Sequence, residues 1–114
     1  MMGNEIMIKM SDFSTYPSGR EDEDGAYNGT KFRETVLRPA IETAKQNGQI
    51  VCVSLENVLS FGSSFLEEAF GGLIRKKIVD KNFLKNHLRI EPGKPAYERY
   101  KDAIFQYIDN AKAT

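Results

Sequence analysis

Hydrophobic positions change period several times along this chain, and each change marks an element. Glu5 to Met10 alternates, with Ile6, Ile8 and Met10 on one side and Glu5, Met7 and Lys9 on the other. That is the period-two pattern of a strand with one buried face. Residues 12–29 are polar and carry Pro17, Gly19, Gly25 and Gly29. They read as a long loop, which inside a compact domain is usually functional or disordered. From Thr30 to Asn47 the period becomes helical, through Phe32, Val36, Leu37, Ala40, Ile41 and Ala44. Thr30 is the expected N-cap and Gly48 the terminator. Pro39 predicts either a kink near Thr35 or a second helix start with the proline in its first turn.

Ile50 to Leu55 is a nearly continuous apolar run rich in β-branched residues, expected as a central strand covered on both faces. Ser64 to Lys77 is the second helix. Ser64 and Glu67 have the spacing of a capping box, and Phe65, Leu66, Ala69, Phe70, Leu73 and Ile74 form its stripe. Gly71 and Gly72 interrupt that stripe at roughly 1 kcal/mol each against alanine, which points to close approach of a neighbouring backbone or to a loose helix. Asp80 to Asn86 reads as a further helical turn, and His87 to Glu91 as a short strand broken by Pro92-Gly93. A last helix runs from Pro95 to Ala111 with Tyr97, Tyr100, Ile104, Tyr107 and Ile108 on one face. Strands and helices alternate, so the expected class is α/β in a single domain over residues 1–114. The predicted sheet is mixed, of about four strands packed by helices, with Ile50 to Leu55 central.

Composition narrows the classes of function. The 114 residues carry 16 lysines plus arginines against 16 aspartates plus glutamates. This balance argues against a dedicated duplex nucleic-acid binder. One cysteine, Cys52, allows no internal disulfide. The expectation is a cytoplasmic protein without a signal peptide or membrane span, metal or cofactor.

Two segments resemble the bacterial STAS-like domain family of unknown function: DGAYNGTKFRETVLRPAI, from Asp24 to Ile41, and FGSSFLEEAFGGL, from Phe61 to Leu73. The resemblance implies a STAS-like α/β fold and kinship with anti-anti-sigma domains, which act by binding partner proteins. In those domains a serine in a D-S-S-G turn at a helix start is phosphorylated by a kinase partner. That turn falls here on Gly62, Ser63, Ser64 and Phe65, with Gly62 in place of the aspartate and Phe65 in place of the glycine. Ser63 is the phosphoacceptor counterpart. The same kinship implies a GHKL-type ATPase or kinase as partner.

The resulting expectation is a non-enzymatic interaction module that docks residues 60–73 onto a partner protein. Phe61, Gly62, Ser63, Ser64, Phe65 and Glu68 are the candidate contact residues. Two alternatives remain in view. One is nucleotide or nucleic-acid binding through the basic stretch of Arg75, Lys76, Lys77, Lys81 and Lys85. The other is a small enzyme using Cys52 as nucleophile and His87 as base, set against Cys52 as a plain core residue. Glu21 to Asp24 lacks the spacing of a calcium loop and reads as a solvated acidic loop. The last helix's tyrosines read as packing rather than base-stacking platforms. Arg33 could bind an anion, pair with Asp24 or form an exposed salt bridge worth under about 1 kcal/mol.

Overall fold

The computed structural model describes residues 4–112. Three strands, β1 (Glu5–Lys9), β2 (Ile50–Ser54) and β3 (Leu88–Glu91), form one sheet in the order β1-β2-β3. Both pairings are parallel: Met7 lies opposite Cys52, and Cys52 opposite Arg89. The expected central strand is therefore central. The sheet has three strands among the described residues rather than about four, and it is parallel rather than mixed. The reason lies in the connections. Each strand is followed by helices, and a helical crossover returns the chain parallel to its neighbour.

The helices are α1 (Met10–Phe13), α2 (residues 29–47), α3 (residues 63–75), α4 (Lys81–His87) and α5 (Glu98–Asn110). Strand order 1-2-3 with right-handed crossovers puts α2 and the α3–α4 connection on the same face of the sheet. Ile8, Val51, Val53, Leu88 and Ile90 face those helices within the core. The opposite face carries Glu5, Met7, Lys9, Cys52, Arg89 and Glu91, and Met7 is 60% exposed there. Coverage on both faces, expected from the apolar run at 50–55, is thus corrected to coverage on one. Cys52 is still only 1% exposed, because an Arg89–Glu5 ion pair between the outer strands spans the central one.

Helix α2 meets the Pro39 problem with a π-helical turn inside one continuous helix rather than with a second start, since Leu37 and Arg38 keep helical backbone angles. Residues Arg33–Leu37 form a π-helical turn centred on Thr35, in which the Arg38 N–H reaches back to the Arg33 carbonyl. The α-helical segment Arg38–Asn47 follows without a break, with the proline in its first turn. The wider turn accommodates the N–H that proline lacks. Asn28, not Thr30, caps this helix: its side chain accepts from the Lys31 N–H at 2.9 Å. The Thr30 hydroxyl instead donates to Glu21 at 2.9 Å. Gly48, in the left-handed region at φ 65°, closes the helix as expected.

Helix α3 starts at Ser63, with Gly62 as its N-cap residue and no side-chain cap. The expected capping box does not form, because the Glu67 carboxylate is taken by Arg20 and Arg75. Phe32, Phe65 and Phe70 are fully buried and join α2 to α3, with Phe32–Phe65 and Phe32–Phe70 ring centroids 5.6 and 6.3 Å apart. Phe70→Ala should accordingly cost about 3–5 kcal/mol in denaturant melts, and a loss under about 1 kcal/mol would show that the site is not core.

Candidate functional site

Two neighbouring regions concentrate the chemistry of this molecule. The first is an ion-pair network between the crossover helices. Arg33, from the π turn of α2, is 2% exposed. Its Nη1 donates to the Glu68 carboxylate at 2.7 Å and to the Glu68 carbonyl at 2.8 Å, and its Nε donates to Glu34 at 3.0 Å. Glu68 lies in a second π-helical turn, Glu67–Gly71 of α3. Arg20 binds both acids, Glu67 at 2.5 Å and Glu68 at 3.3 Å, and Arg75 also binds both. Two glutamates thus bring three arginines together.

Two glycines make the contact possible. A Cβ on Gly72 would come within 2.4 Å of Arg33 Nη1, and one on Gly29 within 2.7 Å of the Phe65 carbonyl and 2.8 Å of Glu68 Cβ. The close approach expected at the Gly71-Gly72 pair is thus that of a guanidinium rather than a backbone. Burial pushes the Glu67 and Glu68 carboxyls upward. The arginine donors, Arg75 and Arg20 on Glu67 and Arg33 and Arg20 on Glu68, outweigh it and hold both below the usual carboxylate range. The Glu67 hydrogen bond in turn raises Arg20 and Arg75.

Arg20 carries the network into the 12–29 segment. That segment folds on itself through a 3-10 turn, Asp22–Asp24, whose Asp24 carboxylate accepts from the Arg20 and Glu21 amides at 3.0 and 3.3 Å. Arg33 therefore pairs with Glu68 and not with Asp24. Buried Asn28 ties the far end down, donating to Asp22 at 3.0 Å and to the Gly25 carbonyl at 2.8 Å. Among the described residues no group of three or more His, Cys, Asp or Glu side chains could hold a metal.

The second region is the surface beside that frame. Residues 55–62 lead from β2 into α3 and are stitched to the 12–29 segment: the Leu59 and Gly62 amides donate to the Thr15 and Pro17 carbonyls at 2.8 and 3.1 Å. Leu59 is 62% exposed. Phe61 packs on Tyr100 and Tyr97 with centroids 4.4 and 5.2 Å away, and the Tyr97 hydroxyl donates to the Val58 carbonyl at 2.5 Å. Tyr97, in the 3-10 turn before α5, and Tyr100, in its first turn, thus serve as packing. A cleft of about 280 Å³ opens between the start of α3 and α5, walled by Phe61, Leu66, Tyr100, Ala103 and Tyr107, with Ser63 and Arg99 on its rim.

Of the candidate contact residues, Ser63 is exposed, and Phe61, Gly62 and Ser64 are half-buried beside it. Phe65 belongs to the core, and Glu68 to the ion-pair network. Sequence reasoning missed that network. Its visible signal was Arg33, a charge set within the apolar helical stripe of Phe32, Val36, Leu37 and Ala40.

The residues of the other two readings fall elsewhere. Cys52 lies mid-strand on the open sheet face, and burial pushes its thiol up. His87, at the end of α4, stacks on Phe83 at 4.0 Å and has its Nδ1 2.9 Å from the Phe83 carbonyl. In the basic stretch Arg75 is paired with Glu67, Lys85 pairs with Asp109 at 3.0 Å, and Lys81 donates to the Asp109 carbonyl at 2.6 Å. A cleft of about 620 Å³ gathers Lys45, Lys77, Lys81 and Lys112 around Ile74 and Val79.

Parallel strands joined by helical crossovers on one face, with a helix opening at a Ser-Ser turn, define an α/β domain. Residues 28–94 match the family described as a STAS-like domain of unknown function. More than half of the chain is matched, and the protein belongs to that family. Searches of curated proteins and of solved structures gave no significant match. Among the described residues no helix is long and apolar enough to cross a membrane.

Two outcomes follow for the network. Both glutamates have folded pKa values below their unfolded ones, so the stability they contribute is complete above about pH 5 and is lost as pH falls through about 4 and below. Thermal melts against pH should show that acid loss, and Glu68→Gln should flatten it. Gly72→Ala gains about 1 kcal/mol of helix propensity but drives Arg33 off Glu68, so denaturant melts should show a net loss of about 2 kcal/mol or more.

Proposed function

We propose that this protein is a non-enzymatic regulatory module that binds a partner protein through the 55–62 loop and the first turn of α3. The observation that carries the reading is the conjunction at that point of an exposed Leu59, the Phe61-walled cleft and the exposed Ser63 at a helix start. Apolar side chains on a surface that its own ion-pair network fixes are what a docking site requires, since little ordering entropy is then lost on binding. The kinship with anti-anti-sigma domains supports an ATPase or kinase as the partner class and Ser63 as the position where a phosphate would act. A phosphate there would meet the positive end of the α3 dipole while adding charge to the interface.

Affinity capture from the source cell, read by mass spectrometry, tests this. Leu59→Asp and Ser63→Glu should leave the melting temperature within about 2 °C of the parent, because both sites are exposed and negative charge suits this helix end. Both should release the same specific protein. Identical captures for parent and variants would overturn the reading.

The lysine cleft favours a second reading, a site for a nucleotide or similar phosphorylated small molecule. Lys45, Lys77 and Lys112 have no ion-pair partner among the described residues, and Ile74 and Val79 offer an apolar wall. Titration calorimetry with ATP should then give a Kd of about 100 µM or tighter that Lys77→Glu abolishes. Absence of heat at millimolar ATP would remove this reading.

A further inference from the structure

We propose that β1 is an interface strand, and that two copies of this chain join their β1 edges antiparallel about a two-fold axis at Met7. This goes beyond the docking surface above, which involves other elements. In the parallel pairing with β2, the Asn4 carbonyl accepts from the Ile50 amide at 2.9 Å, which fixes the phase of the ladder. Alternate residues then serve β2, and Glu5, Met7 and Lys9 turn their amides to the outer edge. Among the described residues no strand pairs with that edge. An open edge of this kind is a template for another strand.

The residues on it select the occupant. The strand reads Glu5-Ile6-Met7-Ile8-Lys9. Laid antiparallel on itself about Met7, it sets Glu5 against Lys9 twice, Met7 against Met7, and Ile6 against Ile8. The Met7 pair and the Lys9 amide then meet hydrogen-bonding partners, while the Lys9 carbonyl opens α1, and charge complementarity and backbone phase agree on one register. A lone lysine on an edge ordinarily discourages pairing. Here Lys9 has no ion-pair partner among the described residues, and the second copy supplies one. On the helix side, Ile6 of the second copy arrives beside Ile8, where Phe13 and Val36 wall a groove of about 370 Å³. On the open side, Met7 loses its 60% exposure against its own symmetry mate.

Sedimentation equilibrium of the full chain tests the proposal. The parent should show a concentration-dependent dimer. Lys9→Glu places carboxylates opposite each other and should weaken it at least about tenfold at low salt. The swapped pair Glu5→Lys with Lys9→Glu restores complementarity across the axis and, although it gives up the Glu5–Arg89 pair within each copy, should associate at least about threefold more tightly than Lys9→Glu alone. Independently of charge, the axis brings the two residue-7 Cα atoms about 5.5 Å apart, within disulfide range. Met7→Cys should therefore cross-link under mild oxidation, while the parent, with only buried Cys52, should not. Thermal melts confirm that each variant is folded. A parent that stays monomeric at about 100 µM, a dimer unmoved by Lys9→Glu, or a Met7→Cys protein that fails to cross-link would each overturn the proposal.

Discussion

The buried contact between Arg33 and Glu68 is the constraint on which the rest of this structure depends. A guanidinium taken out of water is costly unless its donors find acceptors. Arg33 finds a carboxylate, a backbone carbonyl and Glu34. Glu68, nearly as buried, accepts from three arginines. Directional bonds at both residues constrain the mutual placement of α2 and α3 more narrowly than apolar contact between the phenylalanines of the same helices does. Burying apolar rings supplies most of the energy; the ion pair fixes the register. Gly29 and Gly72 are where the helices and the guanidinium come closest, and a side chain at either position would hold them apart.

The same network reaches the surface. Arg20 extends it from Glu67 and Glu68 into the 12–29 segment, and the backbone of that segment holds the 55–62 loop at Thr15 and Pro17. The proposed docking surface is thus two bonds removed from the buried pair. The two stretches that resemble the family, residues 24–41 and 61–73, supply most of this interlock: Asn28, Gly29, Phe32 and Arg33 from one, Phe65, Glu67, Glu68 and Gly72 from the other. Much of the family's sequence pattern is therefore explained by how the helices lock, while Tyr27 and the Ser63 turn are among its parts that reach solvent.

What was legible in the sequence follows from which interactions are local. The apolar run at 50–55, the helical stripes at Phe32 to Ala44 and Phe65 to Ile74, and the αL stop at Gly48 all depend on residues a few positions apart, and all are present in the structure. Helix starts were less legible. Thr30 and Ser64 have the right chemistry for caps, but Asn28 sits two residues earlier and Arg20 and Arg75 bind Glu67 more strongly than an amide would. A mixed sheet of about four strands is expected from the sequence, whereas three parallel strands are present among the described residues, because every connection between the strand patterns is of crossover length. One-sided coverage was invisible because Cys52 is apolar in a run of apolar residues, while its lid, Arg89 with Glu5, comes from strands far apart in sequence. The Arg33–Glu68 pair escaped for the same reason: 35 positions separate the partners, and no periodicity links them.

The most direct test of this account is a double-mutant cycle on the buried pair. Stabilities of Arg33→Met, Glu68→Gln and the double variant would be compared with the parent in denaturant melts. The single changes should each strand a buried partner and cost about 3 kcal/mol or more, and the double change should recover about 2 kcal/mol of their sum. Additive losses, with a coupling below about 0.5 kcal/mol, would contradict the claim that this ion pair sets the placement of the two helices.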